Sequence, residues 1–256
     1  MFQTPYNSAP FSRFAPTDYL PAIQKAIAKS LKEIDTIAHN PEVPTYMNTI
    51  QPLAYVGLEL ERLTAMFFNL NSAETNETLQ AEAQRISPLL TDYSNDIRLN
   101  EALFKRVEAV YKTRNYLSAS PEQHTLLEKT YKSFTRNGAN LSLNDKEHLR
   151  RIDKELARLK LKFSENVLAE TQHYQWEITH KEELSGLPDF VLEMLATEAK
   201  KRHKEGWVIT LDLPVYTAVM KYANNRELRR KLFIDYHSRC AGDSAYNNEA
   251  NVLLIA

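Results

Sequence analysis

Apolar residues recur every three or four positions along most of the chain, which is the spacing of one face of an α-helix. The first such stretch begins after Thr17 and Asp18, whose side-chain oxygens can cap a helix, and it reaches about His39. Prolines in the preceding segment favour an extended lead-in over residues 1–17. The apolar positions of this predicted helix are Ile23, Ile27, Leu31, Ile34 and Ile37.

The same spacing predicts four more helices before residue 140. Gly57 falls inside the first of them, where glycine costs about 1 kcal/mol relative to alanine and so indicates close helix packing. Ser72 and Thr75 are the predicted caps of the second, and Pro121 fits the first turn of the last. The predicted ranges are about 45–68, 72–96, 100–116 and 121–136.

A turn at Asn137-Gly138 is the clearest break in the helical pattern. Asparagine followed by glycine tolerates the left-handed backbone that tight turns require. We therefore predict an N-terminal helical region over residues 1–140. The second region, residues 141–256, is predicted to contain a long helix, a β insertion and the start of a further lobe.

The strongest helical pattern follows this turn. Ser142, with Asp145 three residues later, can cap a helix that is predicted to reach about Glu170. Arg151 and Glu155 have the spacing of an ion pair on its exposed side. Its apolar stripe consists of Leu149, Ile152, Leu156, Leu159, Phe163 and Val167.

The pattern changes from helical to alternating at about residues 172–179 and 207–213, which predicts two β-strands. In the first, Trp176 and Ile178 face the same side. We expect the strands to pair antiparallel, although a helix over about 188–204 separates them. The predicted fold class is therefore mainly α, a helical array with a small antiparallel β insertion. Further helices are predicted from about Val215, from Asn225 and after a cap at Ser244.

The last residues form an apolar run. Residues 251–256 contain four consecutive apolar side chains before the end, and no glycine, proline or cationic turn follows them. This pattern favours a natural chain that continues past Ala256. The alternative is a terminal helix docked in the core.

Composition and charge exclude several classes of protein. The chain is 43% hydrophobic and 25% charged, which is typical of a soluble globular protein. Its net charge of -1 gives no electrostatic reason to expect nucleic acid or a membrane as a partner. The five glycines are too widely spaced for a dinucleotide fingerprint, a phosphate-binding loop or a serine-hydrolase elbow.

The cysteine content and the absence of long apolar stretches bear on the expected cellular location. A single cysteine, Cys240, excludes an internal disulfide and fits a reducing compartment. The N-terminus has no apolar signal-peptide core, and no stretch approaches the roughly 20 apolar residues that span a bilayer. We expect a cytoplasmic protein, or a periplasmic one if a leader was removed.

The seven histidines do not form a local zinc motif. The HExxH motif places two histidines on one helix face while its glutamate acts on water. Here no histidine precedes a glutamate, and no two are four positions apart. We therefore predict no catalytic and no metal-binding residue, and substrate-binding residues stay unassigned. The histidines are His39, His124, His148, His173, His180, His203 and His237.

Two pairs of residues that contain glutamate are weaker candidates for catalysis or metal binding. Glu170 and His173 form one Glu-x-x-His pair, whereas a dimetal bundle needs two such pairs from two helices. A surface pair is favoured, and a dimetal helical enzyme is the alternative. Glu182 and Glu183 would point about 100° apart on a helix, so acids at a helix start are favoured over an acid–base pair.

A basic run and a cysteine complete the candidates. Residues 200–204 are all basic, which is typical of a phosphate patch or of a helix end. The helix end is favoured because cations stabilise that terminus and Gly206 can end the helix. Cys240 has no recognisable catalytic partner, so a structural role is favoured over a nucleophile.

Motifs along the chain occur in the order found in one known family. They are FTRNGANLS at 134–142, a following helix with Leu156, Leu159, Phe163 and Asn166, ELSGLP at 183–188, GWVITLDLP at 206–214 and NRELR at 225–229. Together they resemble the thimet oligopeptidase family of zinc metallopeptidases. The sequences of these motifs are most similar to the peptidyl-dipeptidase (dipeptidyl carboxypeptidase) branch, and the next most similar branch is oligopeptidase A.

The resemblance implies a mostly helical, two-lobed fold around a channel that admits short peptides. It also implies one zinc ion, held by two histidines of HExxH and a more distant glutamate. The glutamate of the motif itself would activate water for attack on the peptide carbonyl. None of these residues has a counterpart here, so no catalytic residue is carried over. We expect an N-terminal, non-catalytic portion that forms one wall of the channel, with the zinc in the full-length parent and no cofactor in this chain.

The competing hypothesis is a stand-alone helical binding or scaffold protein without peptidase activity. For the parent we expect short peptides as partners, no nucleic acid, no membrane and a monomer. Dipeptidyl carboxypeptidase and endopeptidase action stay open, because the residues that separate them lie near the zinc.

Overall fold

The computed structural model describes residues 4–256, except for the side chain of Asn7. The predicted fold class, a helical array with a small antiparallel sheet, is confirmed. No helix in this range is long and apolar enough to cross a membrane. The helices are α1 Tyr19–Ala38, α2 Gln51–Leu53, α3 Leu58–Ala73, α4 Glu77–Arg98, α5 Glu101–Lys112, α6 Pro121–Arg136, α7 Leu143–His173, α8 Asp189–Lys201, α9 Leu213–Tyr222, α10 Arg226–His237 and α11 Glu249–Ile255. The strands are β1 Trp176–Ile178 and β2 Trp207–Ile209.

The chain forms two compact units, Met1–Arg158 and Leu159–Ala256. The boundary lies inside α7, downstream of the turn at which the sequence analysis divides the chain. Each unit has its own buried apolar cluster.

In the first unit, α1 packs against α3, α4 and α5. Tyr19 and Ile23 of α1 are fully buried, and the Tyr19 ring lies 5.3 Å from the ring of Phe67 on α3. Leu103 on α5 and Leu127 on α6 belong to a second buried cluster. Burial of one such side chain stabilises the fold by roughly 1.5–3 kcal/mol.

A buried arginine holds the segment that follows α1. One guanidinium nitrogen of Arg106 donates to the carbonyl oxygens of Asn40 at 2.7 Å and Glu42 at 2.9 Å. The other donates to Asn48 Oδ1 at 3.0 Å and Thr49 Oγ1 at 3.3 Å. These hydrogen bonds supply a donor to backbone and side-chain acceptors in a segment that has no regular secondary structure to pair them.

The predicted helix over 45–68 is wrong as one element. A π-helical turn, Tyr46–Ile50, and the short α2 come first, and a left-handed Gly57 (φ 76°) then separates them from α3. Pro52 lacks the N–H that a continuous helix needs, and the positive φ of Gly57 is incompatible with helix. Gly57 therefore opens α3 instead of lying within it.

Other predicted boundaries of the first unit also change. Ser72 lies inside α3, and Asn76 caps α4 by accepting a hydrogen bond from the Leu79 N–H at 3.0 Å. The expected extended lead-in contains 3-10 turns, whereas residues 1–3 of it lie outside the described range. These turns are Pro5–Asn7, Phe11–Arg13 and Pro16–Asp18.

The start of α7 is as predicted, because the Ser142 hydroxyl oxygen accepts from the Asp145 N–H at 3.2 Å. The ion pair predicted between Arg151 and Glu155 is wrong. Glu155 pairs instead with Arg158, at 2.6 Å, because the i, i+3 neighbour presents its guanidinium in two hydrogen bonds.

In the second unit, β1 and β2 pair antiparallel, as predicted, with Trp176 opposite Ile209 and Ile178 opposite Trp207. Both strands are shorter than predicted. α7 continues to His173, and β2 ends at Ile209 shortly before α9 begins at Leu213.

Two predicted helix signals in this unit are wrong. Gly206 does not end α8; the left-handed residue after α8 is His203 (φ 56°), and the Lys204 N–H bonds back to the Ala199 carbonyl. Gly206 instead lies against the Ile178 carbonyl, where a Cβ atom would collide. Ser244 does not cap the last helix either, since α11 begins after Asn248.

Candidate functional site

The histidines do not converge on one point. His39 lies 2.9 Å from Asp35 one turn earlier, and the ring nitrogens of His173 and His237 face backbone carbonyls of their own helices. Among residues 4–256, no three His, Cys, Asp or Glu side chains are placed to hold a metal ion. The described residues therefore do not fit the zinc ion that the resemblance implies for the parent.

Glu170 binds the loop that follows α10. Its Oε2 atom accepts hydrogen bonds from the Cys240 N–H at 2.5 Å and from the Ser244 hydroxyl at 2.8 Å. His173 contacts the same loop, because its ring lies 5.4 Å from the ring of Tyr246. The Glu-x-x-His pair thus holds a loop in place.

Cys240 is buried and has a positive φ of 59°. Burial, followed by the hydrogen bond and charge of Glu170, raises the pKa of its thiol to about 11. A thiol with such a pKa is protonated at neutral pH and is a weak nucleophile.

Glu182 and Glu183 lie in a 3-10 turn, Lys181–Leu184, not at the start of an α-helix. The basic run is divided among separate partners. Arg202 bonds to Glu198 at 2.8 Å, and Lys204 bonds to Glu177 at 2.7 Å. Cations that are paired in this way do not form a phosphate patch.

A groove between α1 and α3 has room for a ligand, with a volume of about 580 Å³. Ligand sites commonly have volumes of about 300–1,000 Å³. Ala22, Ala26 and Ser30 face it from α1, one turn apart, and their small side chains leave the space open. Leu60 and Leu63 of α3 are buried beneath it.

The two helices of this groove run antiparallel. A Cβ atom on Gly57, just before α3, would lie 3.2 Å from Ser30 Oγ. Farther along α3, Phe67 packs against Tyr19 at the start of α1. Lys29 of α1 bonds to a carboxylate of α3 at 2.8 Å between these two points.

That carboxylate belongs to Glu59. The hydrogen bond and charge of Lys29 lower the pKa of Glu59, and Glu59 raises the pKa of Lys29 in return. Both side chains are more than half exposed, at 62% for Lys29 and 54% for Glu59. An exposed ion pair of this kind stabilises the structure little, so it is a weak barrier across the groove.

The remaining charges lie at opposite ends of the groove. Lys25 and Arg62 line it towards Phe14, which packs against Tyr19 at the start of α1. Neither has an ion-pair contact within 4 Å among residues 4–256, although the charge of Lys25 contributes to the lowered pKa of Glu59. Glu33, three residues after Ser30 on α1, lines the other end. The groove therefore has a cationic end and an anionic end.

The sequence carries no specific signal for this groove. The alanine and serine positions four apart on α1 were the available signal, but such spacing is as common in close helix packing.

A second hollow, of about 390 Å³, lies beside α5 and α6. Its Arg114 guanidinium stacks 4.2 Å from the Tyr111 ring and donates to the Tyr111 carbonyl. Its Glu128 is bonded to Lys132 at 2.5 Å. Because its charges are already engaged, it is a weaker ligand site than the groove.

A charged cluster in the second unit is also internally satisfied. Lys231 lies 2.5 Å from Asp235 Oδ2 and 4.4 Å from the centre of the Trp176 ring. The Tyr174 hydroxyl donates to the same carboxylate, and burial, followed by this bond, raises the pKa of Tyr174. This cluster fixes α10 against β1 and leaves no unpaired charge for a ligand.

Comparison with known proteins shows similarity to peptidases along almost the whole chain. Dipeptidyl carboxypeptidase of Escherichia coli (strain K12) is 31% identical over 247 residues, which cover 96% of this chain and 36% of that protein. Oligopeptidase A of the same organism is 28% identical over 238 residues, which cover 93% of this chain and 35% of that protein. Thimet-like oligopeptidase of Dictyostelium discoideum is 25% identical over 215 residues, 83% of this chain and 31% of that protein.

A scan against models of protein families finds no match. The chain spans about a third of the length of the curated relatives that it matches.

Proposed function

We propose a function from the premise that this chain is homologous to peptidases of the thimet oligopeptidase family. In this proposal the chain is a non-catalytic N-terminal segment of a zinc-dependent oligopeptidase or peptidyl-dipeptidase. It forms one wall of a channel in which short peptides are hydrolysed. The catalytic zinc and its ligands belong to the parent protein outside these residues.

One observation carries the proposal: 96% of this chain matches dipeptidyl carboxypeptidase at 31% identity while covering 36% of it. A match that covers nearly all of this chain but only part of the relative is expected when the chain is a segment of a longer protein. Short peptides are the proposed partners because the relatives are named as peptidases.

A cytoplasmic location is part of the same proposal. One relative is named a probable cytosolic oligopeptidase A of Arabidopsis thaliana, although another from that plant is named organellar. The single buried Cys240 fits a reducing compartment.

The proposed function is tested by comparing peptide hydrolysis by the 256-residue chain with hydrolysis by the longest product of its reading frame. The source reading frame is first followed past the codon for Ala256, and both the 256-residue chain and the longest product are purified. Each is assayed with an internally quenched peptide, with and without a zinc chelator. We expect chelator-sensitive hydrolysis by the longer protein alone, together with about one equivalent of zinc by elemental analysis.

Two outcomes contradict the proposal. Chelator-sensitive hydrolysis by residues 1–256 would place catalysis inside this chain. A stop codon directly after Ala256 would favour the stand-alone binding or scaffold protein.

A further inference from the structure

We propose that the groove between α1 and α3 binds a short peptide with free termini, its carboxylate at Lys25 and Arg62 and its ammonium at Glu33. The choice of a peptide as the ligand rests on the function proposed above. The site itself rests on the volume, the apolar floor and the separated charges of the groove.

The carboxylate end has two cations from two helices. The helices α1 and α3 run antiparallel, and Gly57 lies at the level of Ser30. Arg62 is five residues after Gly57, and Lys25 is five residues before Ser30. The two cations therefore lie at about the same level of the groove. Both side chains are exposed and form no ion pair within residues 4–256. A carboxylate placed between them would accept charge-assisted hydrogen bonds from both.

The ammonium end lies at a distance that selects ligand length. Lys25 and Glu33 are eight residues apart on α1, which is about 12 Å at about 1.5 Å per residue. An extended peptide spans roughly 3.3–3.6 Å per residue, so three or four residues join the two ends. A free amino acid is too short to reach both.

The floor between the ends suits apolar side chains. Ala26, Leu60 and Leu63 are buried there and carry no polar side-chain atoms. Phe14 also lines the groove beyond the cationic end.

The Lys29–Glu59 pair crosses the groove halfway along its length. Its exposure makes it inexpensive to open, and opening leaves one donor and one acceptor at the level of the peptide backbone. The pair can therefore exchange its mutual bond for bonds to a peptide C=O and N–H.

Calorimetric titration of the 256-residue chain with Ala-Ala-Phe tests the site. A chelator is present throughout, so hydrolysis plays no part. We expect saturable binding that weakens about tenfold when the peptide carries a C-terminal amide, because one charge-assisted contact is lost. The double variant Lys25→Gln/Arg62→Gln should weaken binding of the free peptide by at least the same factor and should bind peptide and amide alike.

The matched control is Lys32→Gln/Arg98→Gln, which removes the same charge from exposed positions that do not line the groove. It should bind as the unchanged chain does. At the other end, Glu33→Gln should weaken binding of Ala-Ala-Phe but not of its N-acetyl form. This coupling between variant and ligand would not arise from a loss of folding.

The site is refuted if Ala-Ala-Phe does not bind at millimolar concentration, or if the peptide and its amide bind the unchanged chain equally. Equal weakening by the groove and control variants would also refute it. If the longer protein nevertheless hydrolyses peptides, the proposed function stands without this site. Binding here with no peptidase activity in the longer protein would leave the site and remove the function.

Discussion

The hydroxyl oxygens of Ser30 and Tyr93 lie 2.5 Å apart, and the left-handed turn at Gly57 passes directly over them. This bond joins α1 to α4 beneath one end of the groove. Burial is the main reason that the pKa of Tyr93 is raised, so its hydroxyl stays protonated and available as a donor. The turn, the bond and the open groove are therefore one local arrangement.

Gly57→Ala should destabilise the first unit by about 2 kcal/mol. A non-glycine residue at a left-handed position costs roughly 1–2 kcal/mol, and the added Cβ would lie 2.7 Å from Tyr93 Oη. Urea unfolding measures the loss. Gly242→Ala is the control, because its φ of 61° is similar but nothing lies within 4 Å of the new Cβ. Equal losses at both glycines would mean that contact with Tyr93 is unimportant.

Arg106→Met should cost about 3 kcal/mol of unfolding free energy. The change keeps much of the buried volume but removes the donor that Arg106 supplies to the carbonyl oxygens of Asn40 and Glu42, whereas Asn48 Oδ1 still accepts from the Thr45 N–H. Chemical denaturation and hydrogen exchange in the 40–49 segment both report it. Arg98→Gln, an exposed change with one hydrogen bond of 3.4 Å, should alter stability little. A small effect of Arg106→Met would show that water replaces the guanidinium.

Asn76→Ala should destabilise the chain by about 1 kcal/mol, because the Leu79 N–H at the start of α4 loses its acceptor. Ser72→Ala is the matched test of the cap predicted from sequence. Ser72 lies within α3 and bonds to the Phe68 carbonyl, so its removal should have little effect. Thermal unfolding of both variants decides between the two positions, and a larger loss for Ser72→Ala would contradict the described start of α4.

Stability should fall as pH rises from about 9 to about 11, and Cys240 should account for part of the fall. Its pKa is raised in the folded state from an ordinary value of 9.0 to about 11. The folded state therefore retains the proton longer, and the resulting stabilisation is complete below pH 9 and is lost as pH rises through 11. The difference in unfolding free energy between Cys240→Ala and the unchanged chain isolates this contribution from the tyrosines. A pH-independent difference would contradict the raised pKa.

Some of the fold could be predicted because its signals are local. Pro121, preceded by Ser120, marks the start of α6 correctly, since a cap and a first-turn proline act within one helical turn. Trp176 and Ile178 alternate in a strand as predicted, although α7 extends past Glu170 and shortens that strand. The boundary moved because propensity alone does not fix the last turn of a helix.

The candidate site could not be predicted in the same way. Lys25 and Arg62 carry no local sign of a shared role, since their approach depends on the antiparallel packing of α1 and α3. The ion pair that was predicted for Glu155 shows the same limit, because helical spacing allows two partners and side-chain geometry selects Arg158.

The sequence by itself determined the helical class, the paired strands and the relationship to peptidases. These depend on the spacing of apolar residues and on short motifs, which act between near neighbours. Only the tertiary structure decided that Gly57 interrupts a helix, that Glu170 binds the loop of Cys240, and that a charged groove lies open on α1. Each of these depends on residues distant in sequence, whose contacts form only when the helices pack.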